Sequence, residues 1–321
     1  MPGLLSTAYK FVRLRGSASL FDRAYLVQFE LSEMGRPAAL STTGLRVERD
    51  VCYHPRPDAD RSQQSLDIYA PADAVEQEAQ LPVVVFMHGG GWRAADKQDA
   101  LGVHANISTA LARQRLVVVN VNYRLSPRAK HPAHALDAAH ALRWVRENIA
   151  AFGGDAANIF ASGHSSGGHL AALVTLDERY LQQAGASAAF IKGVIGISGI
   201  YNIKHFAGRN RLANRLMTRP AFGADPKIRD DASPVNHVRT GAPPFLMINA
   251  AEDERLEEEA EELAALLRRA GTEAETLIIP GTNHFTILSS VGNRDDSLIE
   301  RIVSFVKKNL TAISRQPEGK Y

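Results

Sequence analysis

Short, nearly continuous runs of apolar residues recur along most of the chain. PVVVFMH (82–88) and NIFASGH (158–164) are typical of strands buried on both faces of a sheet. LRVERDVCYH and SLDIYAP, from about residue 45, instead alternate polar and apolar residues, which also indicates strands. The pattern predicts eight strands, the other four being RLVVVNVNY (115–123), IKGVIGIS (191–198), PFLMINA (244–250) and AETLIIP (274–280).

Segments with helical periodicity lie between most of these strands. Residues 134–152 carry apolar side chains along one side and end at Gly153-Gly154, a pair that favours helix termination. Residues 254–270 and 299–310 show similar patterns. Strands that alternate with helices predict an α/β fold of three layers, in which helices cover both faces of a mostly parallel sheet.

The first 40 residues differ from the rest of the chain. Five apolar residues recur there at spacings of four and three: Leu20, Ala24, Val27, Leu31 and Met34. This stripe predicts an amphipathic helix that ends near Gly35. We expect residues 1–40 to form a helical arm or cap, and residues 41–321 to form the catalytic domain.

Residues 198–238 interrupt the alternation of strands and helices. The segment is long, has weak periodicity and contains several basic residues. Long irregular insertions of this kind are usually functional. We expect this insertion to line a substrate pocket.

Composition and charge exclude several classes of function. Hydrophobic residues make up 45% of the 321 residues and charged residues 22%, values typical of a globular protein. The net charge of +2 argues against a nucleic-acid partner. Cys52 is the single cysteine, so no internal disulfide is expected and it is interpreted as a strand residue. No apolar run reaches the ~18 residues needed to span a membrane, and we expect a cytoplasmic protein.

A strong chemical motif follows the strand NIFASGH. Residues 163–167, GHSSG, fit the pattern G-x-S-x-G, and helical sequence follows them. Ser165 has glycine at minus two and plus two, so the spacing favours it over Ser166 as a nucleophile. The backbone N–H of Ser166 would then help to bind an oxyanion.

A second motif, His88-Gly89-Gly90-Gly91-Trp92, directly follows the third strand. Three glycines in succession leave backbone N–H groups free of side-chain hindrance. A tetrahedral intermediate needs two or three such donors at its oxyanion. The motif therefore predicts an oxyanion hole.

A general base and its acid partner complete the predicted site. His284 lies in a loop after the last strand, whereas His164 and His169 flank the nucleophile and are expected to point elsewhere. Asp253 follows the strand PFLMINA at a suitable distance for the acid, with Glu252 as its main rival. The chain order Ser165, Asp253, His284 is that of α/β-hydrolases.

Taken together, HGGGW, GHSSGGHLA and GTNHF resemble a branch of the α/β-hydrolases from about residue 65 to 310. The branch includes carboxylesterases similar to hormone-sensitive lipase, feruloyl-esterase-like enzymes and kynurenine formamidases. His164 and Ser166 stand where many lipase-like members have Asp and Ala. The segment around the acid also lacks the D-P-L run that is usual in those members. The resemblance is therefore greater to the feruloyl-esterase and formamidase side.

The resemblance implies Ser165 as nucleophile, Asp253 as acid and His284 as base. It also implies an oxyanion hole made by the N–H groups of Gly90, Gly91 and Ser166. It further implies that Trp92 lines the substrate pocket.

The chemistry that follows is hydrolysis of short- to medium-chain carboxylic esters through an acyl-enzyme, with no metal or organic cofactor. The expected partner is a small ester, and a homodimer is possible. Three alternatives remain at this point: an amidase with the same triad, a non-catalytic binding module, and a membrane-associated lipid esterase that uses the N-terminal arm.

Overall fold

The computed structural model describes residues 39–54, 56, 59–99, 101–209, 211–253, 255–292 and 296–313. The amphipathic helix predicted within residues 1–40 lies outside these ranges. The strands are β1 (Leu45–Cys52), β2 (Ser65–Pro71), β3 (Leu81–Met87), β4 (Val117–Val121), β5 (Gly154–His164), β6 (Ile191–Ile197), β7 (Phe245–Glu252) and β8 (Ala274–Asn283). All eight predicted strands are therefore confirmed.

The eight strands form one sheet in the order β1-β2-β4-β3-β5-β6-β7-β8. β2 pairs antiparallel with both β1 and β4, and every other pair is parallel. The carboxyl ends of β3, β5, β7 and β8 consequently lie along one edge of the sheet. This is the edge at which open α/β sheets place their active sites.

Helices of very different length connect the strands. The helices are α1 (Val103–Arg113), α2 (Ala133–Asn148), α3 (Ser166–Leu176), α4 (Glu178–Gln183), α5 (Ile203–Arg209), α6 (Arg211–Ala213), α7 (Arg219–Phe222), α8 (Pro226–Asp231), α9 (Leu256–Arg269), α10 (Thr286–Ser289) and α11 (Ser297–Ile313). Within the described part of the chain, none of these helices is long and apolar enough to cross a bilayer.

The helices cover the sheet on both faces, as predicted. One apolar cluster joins α2, α3 and α9 to the sheet, and a second joins α1 and α11 to its other face. Alternate residues of β3 divide between the two: Val83, Val85 and Met87 belong to the first cluster, Val84 and Phe86 to the second. Because successive strand residues point to opposite faces, a continuous apolar run is what a sheet buried on both sides requires.

The insertion at 198–238 is helical, which differs from the irregular structure that its weak periodicity predicts. It contains α5 to α8 and a π-helical turn, Asn214–Thr218, between α6 and α7. These helices have three to seven residues, too few for a hydrophobic repeat to be recognised in the sequence. The segment thus folds as a layer of short helices after β6.

Candidate active site

Ser165 lies on a tight turn between β5 and α3. Its backbone has φ 53° and ψ −118°, a strained conformation for a residue with a side chain. A Cβ atom at Gly163 would lie 2.4 Å from the Gly167 carbonyl carbon, and one at Gly167 would lie 2.0 Å from the Met87 carbonyl oxygen. Both positions require glycine because strand and helix backbones meet there. This close packing holds Ser165 at the sheet edge.

The side chains of Ser165, His284 and Asp253 form a continuous hydrogen-bonded chain. His284 Nε2 is 3.0 Å from Ser165 Oγ, and His284 Nδ1 is 2.7 Å from Asp253 Oδ1. An ionised carboxylate only accepts, so Nδ1 carries the imidazole proton and Nε2 can accept the hydroxyl proton of Ser165. The three residues predicted from the sequence thus stand in the order that nucleophilic catalysis requires.

The Asp253 carboxylate is almost fully buried and has three donors. Besides His284, Asn249 Nδ2 and the Ala250 N–H donate to its Oδ2 atom at 2.9 and 3.1 Å. Burial is the largest effect and raises the pKa of Asp253, but the hydrogen bonds and charges of its neighbours, those of His284 first, together outweigh burial, and the pKa falls below its usual value. Its rival Glu252 is exposed. The geometry therefore favours Asp253 as the acid.

The glycine loop after β3 lies beside Ser165. Gly90 and Gly91 have φ values of +100° and +60°, and a Cβ atom at Gly89 would lie 3.4 Å from Ser165 Cβ. The Gly90 carbonyl accepts the N–H groups of Arg93 and Ala94, which fixes the loop. Among the residues that the structure describes, no acceptor is found for the N–H groups of Gly90, Gly91 and Ser166. These groups are available to a ligand oxygen.

His164 contacts the site, whereas its position beside Ser165 in the sequence predicts that it points elsewhere. Its Nε2 atom lies 2.9 Å from the backbone oxygen of His284 and donates to it. A Cβ atom at Gly89 would lie 2.8 Å from His164 Nδ1, so the ring also contacts the glycine loop. Burial, together with the charge of His284, lowers the pKa of His164 to about 3. The neutral imidazole of His164 therefore contacts both the loop that carries His284 and the glycine loop.

Contrary to the prediction, Trp92 does not line an open pocket. Its side chain is fully buried, and its indole N–H donates to His169 Nδ1 at 3.2 Å. The ring also packs edge-on against Phe222 of α7, with 4.8 Å between ring centroids. Because the residue after three glycines turns into the core (Trp92 itself has φ 59°), it anchors the insertion and has no surface left for a substrate.

Two residues of this site carry no recognisable signal in the sequence. Asn249 orients Asp253 from inside β7, and His164 contacts a residue 120 positions away.

Within the described ranges, no group of three or more His, Cys, Asp or Glu side chains is arranged to hold a metal ion.

Comparison with known proteins gives relatives with consistent names. "Esterase LipC" of Mycobacterium tuberculosis is 32% identical over 69% of this chain and 56% of its own length. "Isoprenylcysteine alpha-carbonyl methylesterase ICME" of Arabidopsis thaliana is 27% identical over 81% of this chain and 62% of its own. The chain thus spans little more than half the length of these curated relatives.

Solved structures share the fold. Esterase B from Lactobacillus rhamnosis superposes with a TM-score of 0.73 at 20% identity, and the match covers 98% of each chain. This likeness concerns the α/β-hydrolase fold. The BD-FAE family model matches residues 66–267, a range that holds the glycine loop, Ser165 and Asp253. Because this match covers more than half of the chain, the chain belongs to the BD-FAE family of the α/β-hydrolases.

Proposed function

We propose that this protein is a serine carboxylesterase that hydrolyses short- to medium-chain esters through Ser165, His284 and Asp253. The observation that carries the proposal is the unbroken line of hydrogen bonds from Ser165 Oγ through His284 to Asp253. The LipC and ICME relatives are an esterase and a methylesterase by name, which supports ester bonds as the substrate class.

Acylation begins when Ser165 Oγ attacks the ester carbonyl carbon and its proton passes to His284 Nε2. The carbonyl oxygen becomes an oxyanion, which the N–H groups of Gly90, Gly91 and Ser166 stabilise. Asp253 stabilises the imidazolium that forms and keeps its ring in place. The bond to the alcohol oxygen then breaks, and His284 returns the proton to the leaving alcohol.

Deacylation repeats these steps with water. His284 accepts a proton from a water molecule, whose oxygen attacks the acyl-enzyme carbonyl. The second tetrahedral intermediate uses the same N–H groups. It collapses to release the carboxylic acid, and Ser165 Oγ regains its proton from His284.

Hydrolysis of nitrophenyl esters from acetate to laurate, by wild type and Ser165→Ala in parallel, tests the proposal. We expect cleavage of the shorter esters and a loss on the order of 10³-fold or more in the variant, because removal of a triad member abolishes most of the rate. Equal activity of the two proteins would reject Ser165 as the nucleophile. If neither protein cleaves an ester, the esterase proposal fails, and formyl amides become the next substrates.

A further inference from the structure

The π-helical turn of the insertion is fixed to the glycine loop. The Arg93 guanidinium, which is buried and follows the glycines by two residues, donates to the Leu216 backbone oxygen in the middle of the turn. A π-turn contains one more residue than an α-helical turn, and such turns are frequent at functional sites. The extra residue changes which side chain faces the loop.

Met217 is the side chain that the turn directs at the loop. A Cβ atom at Gly91 would lie 2.4 Å from Met217 Sδ and 2.7 Å from its Cγ, so the thioether rests directly on the Gly91 backbone. Met217 itself is only partly buried, whereas Arg215 and Arg219 on either side of it are exposed. Met217 therefore packs against the Gly91 backbone, beside one of the proposed oxyanion donors, and remains partly accessible from outside.

The part of an ester that lies beside Met217 follows from the mechanism. The leaving alcohol receives its proton from His284, so the alcohol must lie against the Nε2 atom of that residue. Met217 contacts the glycine loop that receives the carbonyl oxygen. The acyl chain, which extends from the carbonyl away from the leaving group, is then the part beside Met217.

We infer that Met217 determines acyl-chain specificity: it closes the acyl site above Gly91 and limits the length of the chain that fits. This inference rests on the proposed esterase function. An unbranched thioether adapts to short acyl groups of different shape but still occupies the space that a longer chain needs. One methylene in an apolar pocket changes selectivity by about 10- to 200-fold, so the loss of three heavy atoms has a measurable effect.

Met217→Ala and Met217→Phe test the inference against a matched control. Ile228→Ala is the control, since Ile228 belongs to the same insertion and is 40% exposed. The measurement is kcat/KM for nitrophenyl acetate, butyrate and octanoate, with the enzyme concentration set by titration of the active serine. We expect the octanoate-to-acetate ratio to rise about tenfold or more in Met217→Ala and to fall in Met217→Phe, and to stay at the wild-type value in Ile228→Ala.

A second substrate series separates the acyl side from the alcohol side. Acetate esters of methanol, butanol and octanol vary only the leaving group, and we expect the same preference among them in wild type and Met217→Ala. An unchanged acyl ratio in both Met217 variants of an active enzyme, or a change confined to the alcohol series, overturns the inference and leaves the esterase proposal intact. A wild type that cleaves no ester rejects the esterase proposal itself, and the inference with it. If Met217→Ala does not fold, the Met217→Phe ratio alone decides.

Discussion

Two adjacent carboxylates lie at the end of β7, Glu252 as its last residue and Asp253 directly after it, and only their surroundings distinguish them. Asp253 is 2% exposed and accepts from His284, Asn249 and Ala250, whereas Glu252 is exposed at the surface. The sequence places both residues after the correct strand, which narrows the choice to two. Burial and the contact with a loop 31 positions away make the final distinction, and neither is readable from spacing.

Asp253→Asn is predicted to lower kcat/KM for a nitrophenyl ester by about 10³- to 10⁴-fold. The amide can donate to the imidazole and so favours the wrong tautomer of His284. Glu252→Gln is the matched control and should keep at least half of the wild-type value. A comparable loss in both variants would contradict the assignment of Asp253. A loss only in Glu252→Gln would make Glu252 the acid.

The motif G-x-S-x-G does not predict the contacts of the residues around its serine. His164, at its second position, donates to the His284 backbone oxygen and lies against Gly89. This contact depends on the order of the strands, since β5 and the loop after β8 are distant in sequence. A pattern around one residue cannot predict it.

His164→Ala is predicted to lower kcat about tenfold or more, with a small change in KM, because His284 loses a fixed backbone position. One buried hydrogen bond of about 1.4 kcal/mol corresponds to such a factor. His164→Gln, which can still donate to the carbonyl, should recover part of the rate. His205→Ala, at an exposed histidine of the insertion, serves as the control. Equal kcat in wild type and His164→Ala at matched stability would show that His164 does not position His284.

Among the elements, helix α9 is attached to the start of the insertion by one buried carboxylate. Glu259 accepts the N–H groups of Tyr201 and Asn202 at 2.9 and 3.0 Å, and Arg209 donates to it at 3.1 Å. Burial raises the pKa of Glu259 to about 7 against the opposing effect of these donors. The carboxylate of Glu259 thus accepts backbone N–H groups that would otherwise lack an acceptor.

Glu259→Ala is predicted to reduce the free energy of unfolding by about 2–3 kcal/mol, because two backbone donors and a guanidinium lose their acceptor. Glu259→Gln should cost less, since the amide oxygen still accepts. Glu262→Ala, at an exposed position of the same helix, should change the value by less than about 0.5 kcal/mol. Urea unfolding measures all three, and equal stability of Glu259→Ala and wild type would contradict this role.

The elements also show where prediction from sequence ends. The strands are predictable because burial on both faces leaves long apolar runs. Helix α1 is not, since His104, Asn106, Ser108 and Thr109 are buried in it beside apolar residues and the helical pattern is lost. The helices of the insertion are short and depend on contacts such as Trp92 with Phe222, which appear only in the folded chain.

At the scale of the whole molecule, four histidines are buried in a neutral state around the site and the insertion. Burial lowers the pKa of His88 to about 4, and the pKa values of His134, His164 and His169 to about 3. In the unfolded chain such groups titrate near 6.5. Protons therefore bind to the unfolded state first.

The predicted consequence is a stability that is full above about pH 6.5 and is lost as the pH falls toward 4. Each histidine that gains a proton on unfolding contributes a slope of about 1.4 kcal/mol per pH unit. Glu259, whose pKa is raised to about 7, acts in the opposite direction. Its single effect is smaller than the combined effect of the four histidines. Urea unfolding at pH 7.5, 6 and 5 tests this, and a free energy that stays constant over this range would contradict it.

The most direct test of the central claim is to locate a covalent adduct. An alkyl fluorophosphonate reacts with an activated serine: a P–O bond forms to Oγ, the P–F bond breaks, and fluoride leaves. Intact mass and peptide mapping of the treated protein should show one adduct per chain, on Ser165, and none on Ser165→Ala. An adduct on Ser166 or another residue, or continued ester hydrolysis by a fully treated protein without an adduct on Ser165, would contradict the account.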